Sequence, residues 1–149
     1  MGKHRKHQKT PAFGGQPIAG KTPRFEVDPD EARAGVPAWR VRGLDLGGPF
    51  GWHDAGATDL RAVADKLGHF ETMRWADIES AGSHAVEVGR LCAAAQKRLR
   101  ELRQDDVDEL FSLRLAGRAR VWGFREGRLL RILWWDPEHA VCPAEKKHT

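Results

Sequence analysis

The chain has 149 residues, a net charge of +4, and 40% hydrophobic and 31% charged residues. That length accommodates one domain with a core of its own, not two large ones. Two cysteines are too few for a disulfide scaffold or zinc ribbon, and no apolar run suits a membrane span or signal peptide, so a cytoplasmic protein without a membrane partner is expected.

Residues 1–37 are rich in Gly, Pro, Lys and His, and their apolar residues follow neither a period of two nor one of 3.6. A disordered basic extension is expected there. The first 24 residues hold six Lys and Arg and no acid, so the rest of the chain is net acidic. A segment such as KHRKHQK can hold a phosphate backbone without sequence preference, or act as a solubilising leader. A single α+β domain is expected over 38–143, followed by a short tail over 144–149.

Within that domain, WRVRGLDL at 39–46 begins with alternation and predicts a first strand, broken by Gly47, Gly48, Pro49 and Gly51. Leu60, Val63, Ala64 and Leu67 predict a helix over 58–70, with Thr58 as its N-cap. Residues 72–79 add one or two turns that face Trp75 and Ile78 to the core. From Val86 onward, Val88, Leu91, Cys92, Ala95, Leu99 and Leu102 share one stripe and predict the longest helix. The acidic run Asp105, Asp106, Asp108, Glu109 ends it. Three strands follow, over 111–115, 120–125 and 129–135, the last stopped by Asp136-Pro137. The expected fold is an N-terminal strand, a helical hairpin and an antiparallel three-stranded meander.

A two-residue turn at Glu126-Gly127 would pair Phe124 with Leu129, Trp122 with Arg131, and Arg120 with Leu133. One face would then show Arg120, Trp122, Phe124, Leu129, Arg131, Leu133 and Trp135. The other, with Val121, Gly123, Leu130, Ile132 and Trp134, is more apolar and is expected beneath the helices. A three-residue loop ending at Arg118 would pair Arg114 with Arg120 and send Phe111, Leu113 and Leu115 to the helix side. A two-residue turn at Ala116-Gly117 would make the arginine face a second core. The longer loop is favoured, because Gly117 can supply its left-handed position.

Arginines mixed with aromatic rings suit a single-stranded nucleic acid, through phosphate contact and base stacking. The plainer alternative is a solvated face with Arg131 stacked on Trp122. Six arginines between 114 and 131 face a single acid, Glu126, which favours an anion-binding surface. Arg114, Arg118, Trp122, Arg125 and Trp135 are the expected RNA contacts.

The Asp136-Pro137 turn places Glu138 and His139 at the exit of the last strand, where an imidazole can move protons near neutral pH. Alternatively, Asp136 caps the turn and His139 packs on Trp135. Trp52-His53-Asp54 is either a second contributor or a loop whose tryptophan seals the core. Cys92 reads as core and Cys142 as an inert thiol. No His or Cys pair in the body has zinc spacing, and no GxxxxGK[ST] loop is present, so neither metal nor cofactor is expected.

Residues 120–143, RVWGFREGRLLRILWWDPEHAVCP, resemble the C-terminal signature of a group of small bacterial proteins. There an R-x-W-G strand precedes a hydrophobic strand ending LWWDP-x-H and a short V-x-P tail. The order of strand, helical hairpin and basic meander resembles the RelE/ParE superfamily of bacterial toxins. That resemblance implies an mRNA interferase: an endoribonuclease in which the RNA 2′-hydroxyl attacks the adjacent phosphate, neutralised by a cognate antitoxin. Arg120 and Arg131 would clamp the phosphate, His139 would be the general acid/base, and Glu138 its partner. The chain departs from the pattern in having no tyrosine, so Trp122 and Trp135 would supply the stacking. Two other functions share this composition. One is a toxin or adaptor that grips a protein target without chemistry; the other is a nucleic-acid-binding module with a basic arm.

Overall fold

The structure, a computed structural model, describes residues 29–143. It is α+β, with four α-helices and one five-stranded sheet among the described residues. Helix α1 (Pro29–Ala34) lies inside the stretch expected to be disordered, and Ala32 in it is buried. Order therefore begins before Trp39. Residues 1–28 of the predicted extension, and the tail over 144–149, fall outside the described residues.

Strand β1 covers only Ala38–Arg40, shorter than expected. Helix α2 (Ala57–Phe70) matches the predicted helix, but its N-cap is Gly56, whose amide donates to Asp59 Oδ2. Its buried residues are Val63 and Phe70, with Leu67 packed beside them, while Leu60 at the first turn is exposed. Helix α3 (Trp75–Ser80) buries Trp75 and Ile78 completely, as their spacing predicted. The long helix from Val86 does not exist. Strand β2 (His84–Glu87), a 3-10 turn and the short helix α4 (Ala93–Glu101) replace it. His84, Val86 and Val88 do alternate, and this period of two was hidden by the helical spacing of the residues that follow.

The meander is formed by β3 (Glu109–Arg114), β4 (Arg120–Glu126) and β5 (Leu129–Asp136). Across the sheet the order is β1-β5-β4-β3-β2, with β1 parallel to β5 and every other pair antiparallel. The three-residue loop is present: Arg114 pairs with Arg120, and Gly117 takes the left-handed φ of 57°. The second turn lies one residue later than expected. Glu126 pairs with Leu129 around Gly127-Arg128, so Phe124 opposes Arg131 rather than Leu129.

A β-bulge then changes the faces. Gly123 pairs with Ile132 but Trp122 with Trp134, leaving Leu133 as the extra residue on β5. Leu133 and Trp134 therefore lie on the same side, and Trp135 is returned to the other. Phe111, Leu113, Val121, Leu130, Ile132 and Trp135 pack with α2, α3 and Trp52. Leu110, Trp122, Phe124, Leu133 and Trp134 pack with Ala95 and Leu99 of α4 and with Val141. Both faces are buried against helices. The face expected to be open and rich in arginine and aromatic rings is a second core over most of its length.

Gly123 is needed where the bulge brings the strands together, because a Cβ there would collide with the backbone carbonyl of Arg131. Gly123→Ala is expected to cost about 1–3 kcal/mol, the usual penalty of forcing atoms into a filled interior. The urea midpoint followed by tryptophan fluorescence measures it, and an unchanged midpoint would show that the strands separate at no cost.

Candidate functional site

The arginines predicted to act together are split by the sheet. Arg131 opposes Phe124 near the Gly127-Arg128 turn, with its guanidinium 4.3 Å from the Phe124 ring centroid and Glu126 3.9 Å away. Arg120 opposes Asp136 at the far end of the same strand pair. They cannot close on one phosphate. Arg125 projects from the other face, stacked 4.2 Å from the Trp75 ring centroid and ion-paired with Glu79.

The indoles are corrected as well. Trp122 is 1% exposed and Trp135 7%, so neither can stack on a base. Trp135 instead stacks on Trp52, whose indole N–H donates to the Leu133 carbonyl, so Trp52 seals the core. Arg118 and Glu138 form an exposed ion pair at 3.0 Å, which takes Glu138 away from its predicted role beside His139. Cys92 packs at the edge of the second cluster, and the half-buried Cys142 thiol lies 3.5 Å from the Arg90 carbonyl. A groove of about 1090 Å³ holds Arg125 and Arg131, but also Glu79, Asp108 and Glu126. Its charge is mixed; Arg114, Arg120 and His139 are not part of it, but His84 lines its edge.

At the opposite end of the sheet, beyond the part that α4 covers, a different group converges. Arg114 and Arg120 are cross-strand partners on β3 and β4, and the same row continues to Asp136 on β5. The Arg120 guanidinium is anchored by its donations to the carbonyls of Gly117 at 2.8 Å and Ala119 at 3.1 Å. The Arg114 amide donates to Ser83 Oγ at 2.9 Å, and its side chain lies against Gly82. Among the described residues neither guanidinium has a carboxylate within 4.0 Å, whereas Arg98, Arg118, Arg125 and Arg131 all do. Burial and the neighbouring Arg114 lower the Arg120 pKa.

His139 joins this pair because Asp136 holds its loop. The Asp136 carboxylate, 1% exposed, accepts from the Trp122 indole at 3.1 Å, the Ala140 amide at 2.8 Å and the Val141 amide at 3.0 Å. Between these fixed points His139 adopts a left-handed φ of 57°. Such a conformation costs a non-glycine residue free energy and persists only where its surroundings impose it. Burial, then Arg120, lowers the His139 pKa below the ordinary histidine value; Asp136 opposes the shift, and His84 and Arg114 add to it. This favours the neutral imidazole, the form able to accept a proton.

His84 was overlooked in the sequence because it fell between two segments read as helical. Its register opposite Ser112 sets it diagonally beside Arg114. The signal available was the alternation of His84, Val86 and Val88 after the Gly82 turn. The site is thus two unpaired guanidinium groups with an imidazole on either side, a cationic end suited to an oxyanion. Among the described residues no group of three or more His, Cys, Asp or Glu is arranged to hold a metal ion, and no helix is long and apolar enough to cross a membrane. No protein-family model, curated protein or solved structure matches the chain.

Proposed function

We propose that this end of the sheet is the phosphate-handling site of a metal-independent endoribonuclease, a toxin of RelE-like arrangement that acts on single-stranded or ribosome-bound mRNA and is neutralised by an antitoxin protein. The observation that carries the reading is the Arg114–Arg120 pair, two adjacent guanidinium groups with no carboxylate partner among the described residues, beside the neutral His139. Like charges are brought together at a cost, and a bound phosphate removes it.

In this mechanism His139 takes the proton of the RNA 2′-hydroxyl, and the oxygen attacks the adjacent phosphorus. The bond from phosphorus to the 5′-oxygen breaks, and that oxygen takes up a proton as it leaves. The products are a 2′,3′-cyclic phosphate and a 5′-hydroxyl end. Arg114 and Arg120 hold the charge that builds on the non-bridging oxygens, where fixed donors act most strongly. Because Trp122 and Trp135 are buried, recognition falls on the backbone rather than on stacked bases. RNA is therefore gripped mainly by salt-dependent phosphate contacts.

The test is incubation of the full chain with a single-stranded RNA in EDTA. Cleavage to cyclic-phosphate and 5′-hydroxyl ends is expected, with the matching DNA left whole because it lacks the attacking hydroxyl. Cleavage abolished by EDTA, or equal cutting of DNA, would overturn the mechanism. Steeply salt-dependent RNA binding without cleavage would point to a binding module instead. Binding of a protein alone, persisting in high salt, would point to an adaptor.

A further inference from the structure

We propose, resting on the endoribonuclease reading above, that His84 is the general acid that protonates the leaving 5′-oxygen. In-line displacement at phosphorus puts the attacking and leaving oxygens on opposite sides of the transferring atom, so base and acid must approach from opposite directions. The sheet provides that arrangement. Reading across the strands, His84 stands on β2, Arg114 on β3, Arg120 on β4, and Asp136 with the His139 loop at the end of β5. The two imidazoles flank the guanidinium pair. Strands β2 and β5 are three inter-strand steps apart, on the order of 14 Å, and in this proposal the phosphodiester lies between the two histidines over that span.

Local structure prepares His84 for donation. Its Nδ1 lies 3.1 Å from the Gly82 carbonyl. A carbonyl only accepts, so Nδ1 carries the hydrogen of this contact and Nε2 is the ring nitrogen left for the substrate, the atom from which the imidazolium form would donate. Among the described residues Nε2 has no hydrogen-bond partner, and no carboxylate forms an ion pair with His84. Gly82, at φ 112°, has no Cβ; one built there would lie 3.1 Å from Arg114 Nη1, so the glycine leaves room for this guanidinium two residues from His84. Strand β2 is the outer strand of the sheet, which leaves His84 exposed to an arriving polymer. His84 and Arg114 both act electrostatically on His139, together with Arg120 and Asp136, while on its other side His84 lines the mixed-charge groove with Glu79, Asp108, Glu109 and Arg125.

The transfer balances simply. His139 gains the 2′-hydroxyl proton and His84 loses one to the 5′-oxygen; hydrolysis of the cyclic phosphate or exchange with water then resets both. A leaving group that needs no proton tests this assignment. The full chain, its His84→Gln variant and its His139→Asn variant are assayed on an RNA dinucleotide and on uridine 3′-(4-nitrophenyl phosphate), whose nitrophenolate departs unprotonated. His84→Gln is expected to slow RNA cleavage by about 10²–10⁴-fold and the nitrophenyl ester by only a few-fold. His139→Asn should slow both substrates.

For His84→Ala, added imidazole should restore part of the RNA cleavage, a rescue that a merely structural role would not give. Equal slowing of both substrates by His84→Gln, or of neither, would overturn the assignment while leaving the ribonuclease reading in place. Turnover of neither substrate by the unaltered chain would instead remove that reading, and His84's role with it.

Discussion

Asp45→Ala is expected to destabilise the fold by about 3–5 kcal/mol, the range for removing one partner of a buried ion pair. Asp45 is 3% exposed and sits in the loop between β1 and α2. Its carboxylate accepts from Arg98 Nε at 2.9 Å and Nη2 at 2.8 Å, from the Trp134 indole at 2.9 Å, and from the Gly47 and Gly48 amides at 3.0 and 3.1 Å. One side chain thereby joins the loop, helix α4 and strand β5. Alanine would leave the indole N–H and the two amides without partners. Arg98, whose side chain is 19% exposed, can recover some hydration, which moderates the loss. Urea titration followed by tryptophan fluorescence measures the effect, and a loss below about 1 kcal/mol would mean that water replaces the carboxylate.

The same residue sets an acid limit. Burial alone would raise the Asp45 carboxyl, but hydrogen bonds from Arg98, the Gly47 amide and Trp134, with the Arg98 charge, hold it well below the usual carboxylate range. The folded pKa lies below the unfolded value of about 3.9, so the unfolded chain binds more protons in the interval between them. The stabilisation is complete above that unfolded value and is lost as pH falls toward the folded one. Asp45→Asn should therefore be less stable at neutral pH and lose less further stability on acidification.

If the chain is the ribonuclease proposed above, the second large effect is on catalysis. Arg120→Ala is expected to slow RNA cleavage by about 10²–10³-fold, as for the loss of one fixed donor to a transition-state oxyanion. His139→Asn should slow it by about 10²–10⁴-fold, the range for a positioned acid or base. Asparagine is chosen because it tolerates the left-handed backbone at this position, so the Asp136 loop keeps its shape. Arg131→Ala should stay within a few-fold of the unaltered rate, since Arg131 lies at the other end of the strand. Its side chain rests on Phe124. Thermal melting of the His139 and Arg120 variants separates lost chemistry from lost folding. Full activity in His139→Asn together with loss in Arg131→Ala would return the site to the opposite end of the sheet.

The pH profile carries the sign of the His139 environment. Burial and Arg120 depress its pKa below the ordinary histidine value, so the base is already deprotonated at pH 7. Cleavage should climb with pH only through an acidic interval below about 6.5. Bound phosphate reverses the balance by favouring the imidazolium, and should draw the His139 titration upward.

Much of the local structure was legible because it is short-range. The apolar spacing of α2, the buried pair Trp75 and Ile78, and the glycine that closes the Arg114–Arg120 loop all depend on neighbours within a few residues. So does the turn after Asp136, which carries His139. The long helix after Val86 was misread because Leu91, Ala95 and Leu99 are one helical turn apart while the strand before them is only four residues long. Asp45 was passed over because its partners lie 53 and 89 positions away.

The sequence by itself determined the α+β class and the meander and favoured the pairing of Arg114 with Arg120, since alternation and turn chemistry act between adjacent residues. Only the tertiary structure decided which surfaces water reaches. The later turn at Gly127-Arg128 and the bulge at Leu133 parted Arg131 from Arg120, the burial of both faces of the sheet took Trp122 and Trp135 out of solvent, and the return of β2 beside β3 set His84 diagonally from Arg114. Face and register are properties of strands meeting across the fold: each strand's own pattern allows either side to be buried until a partner covers it.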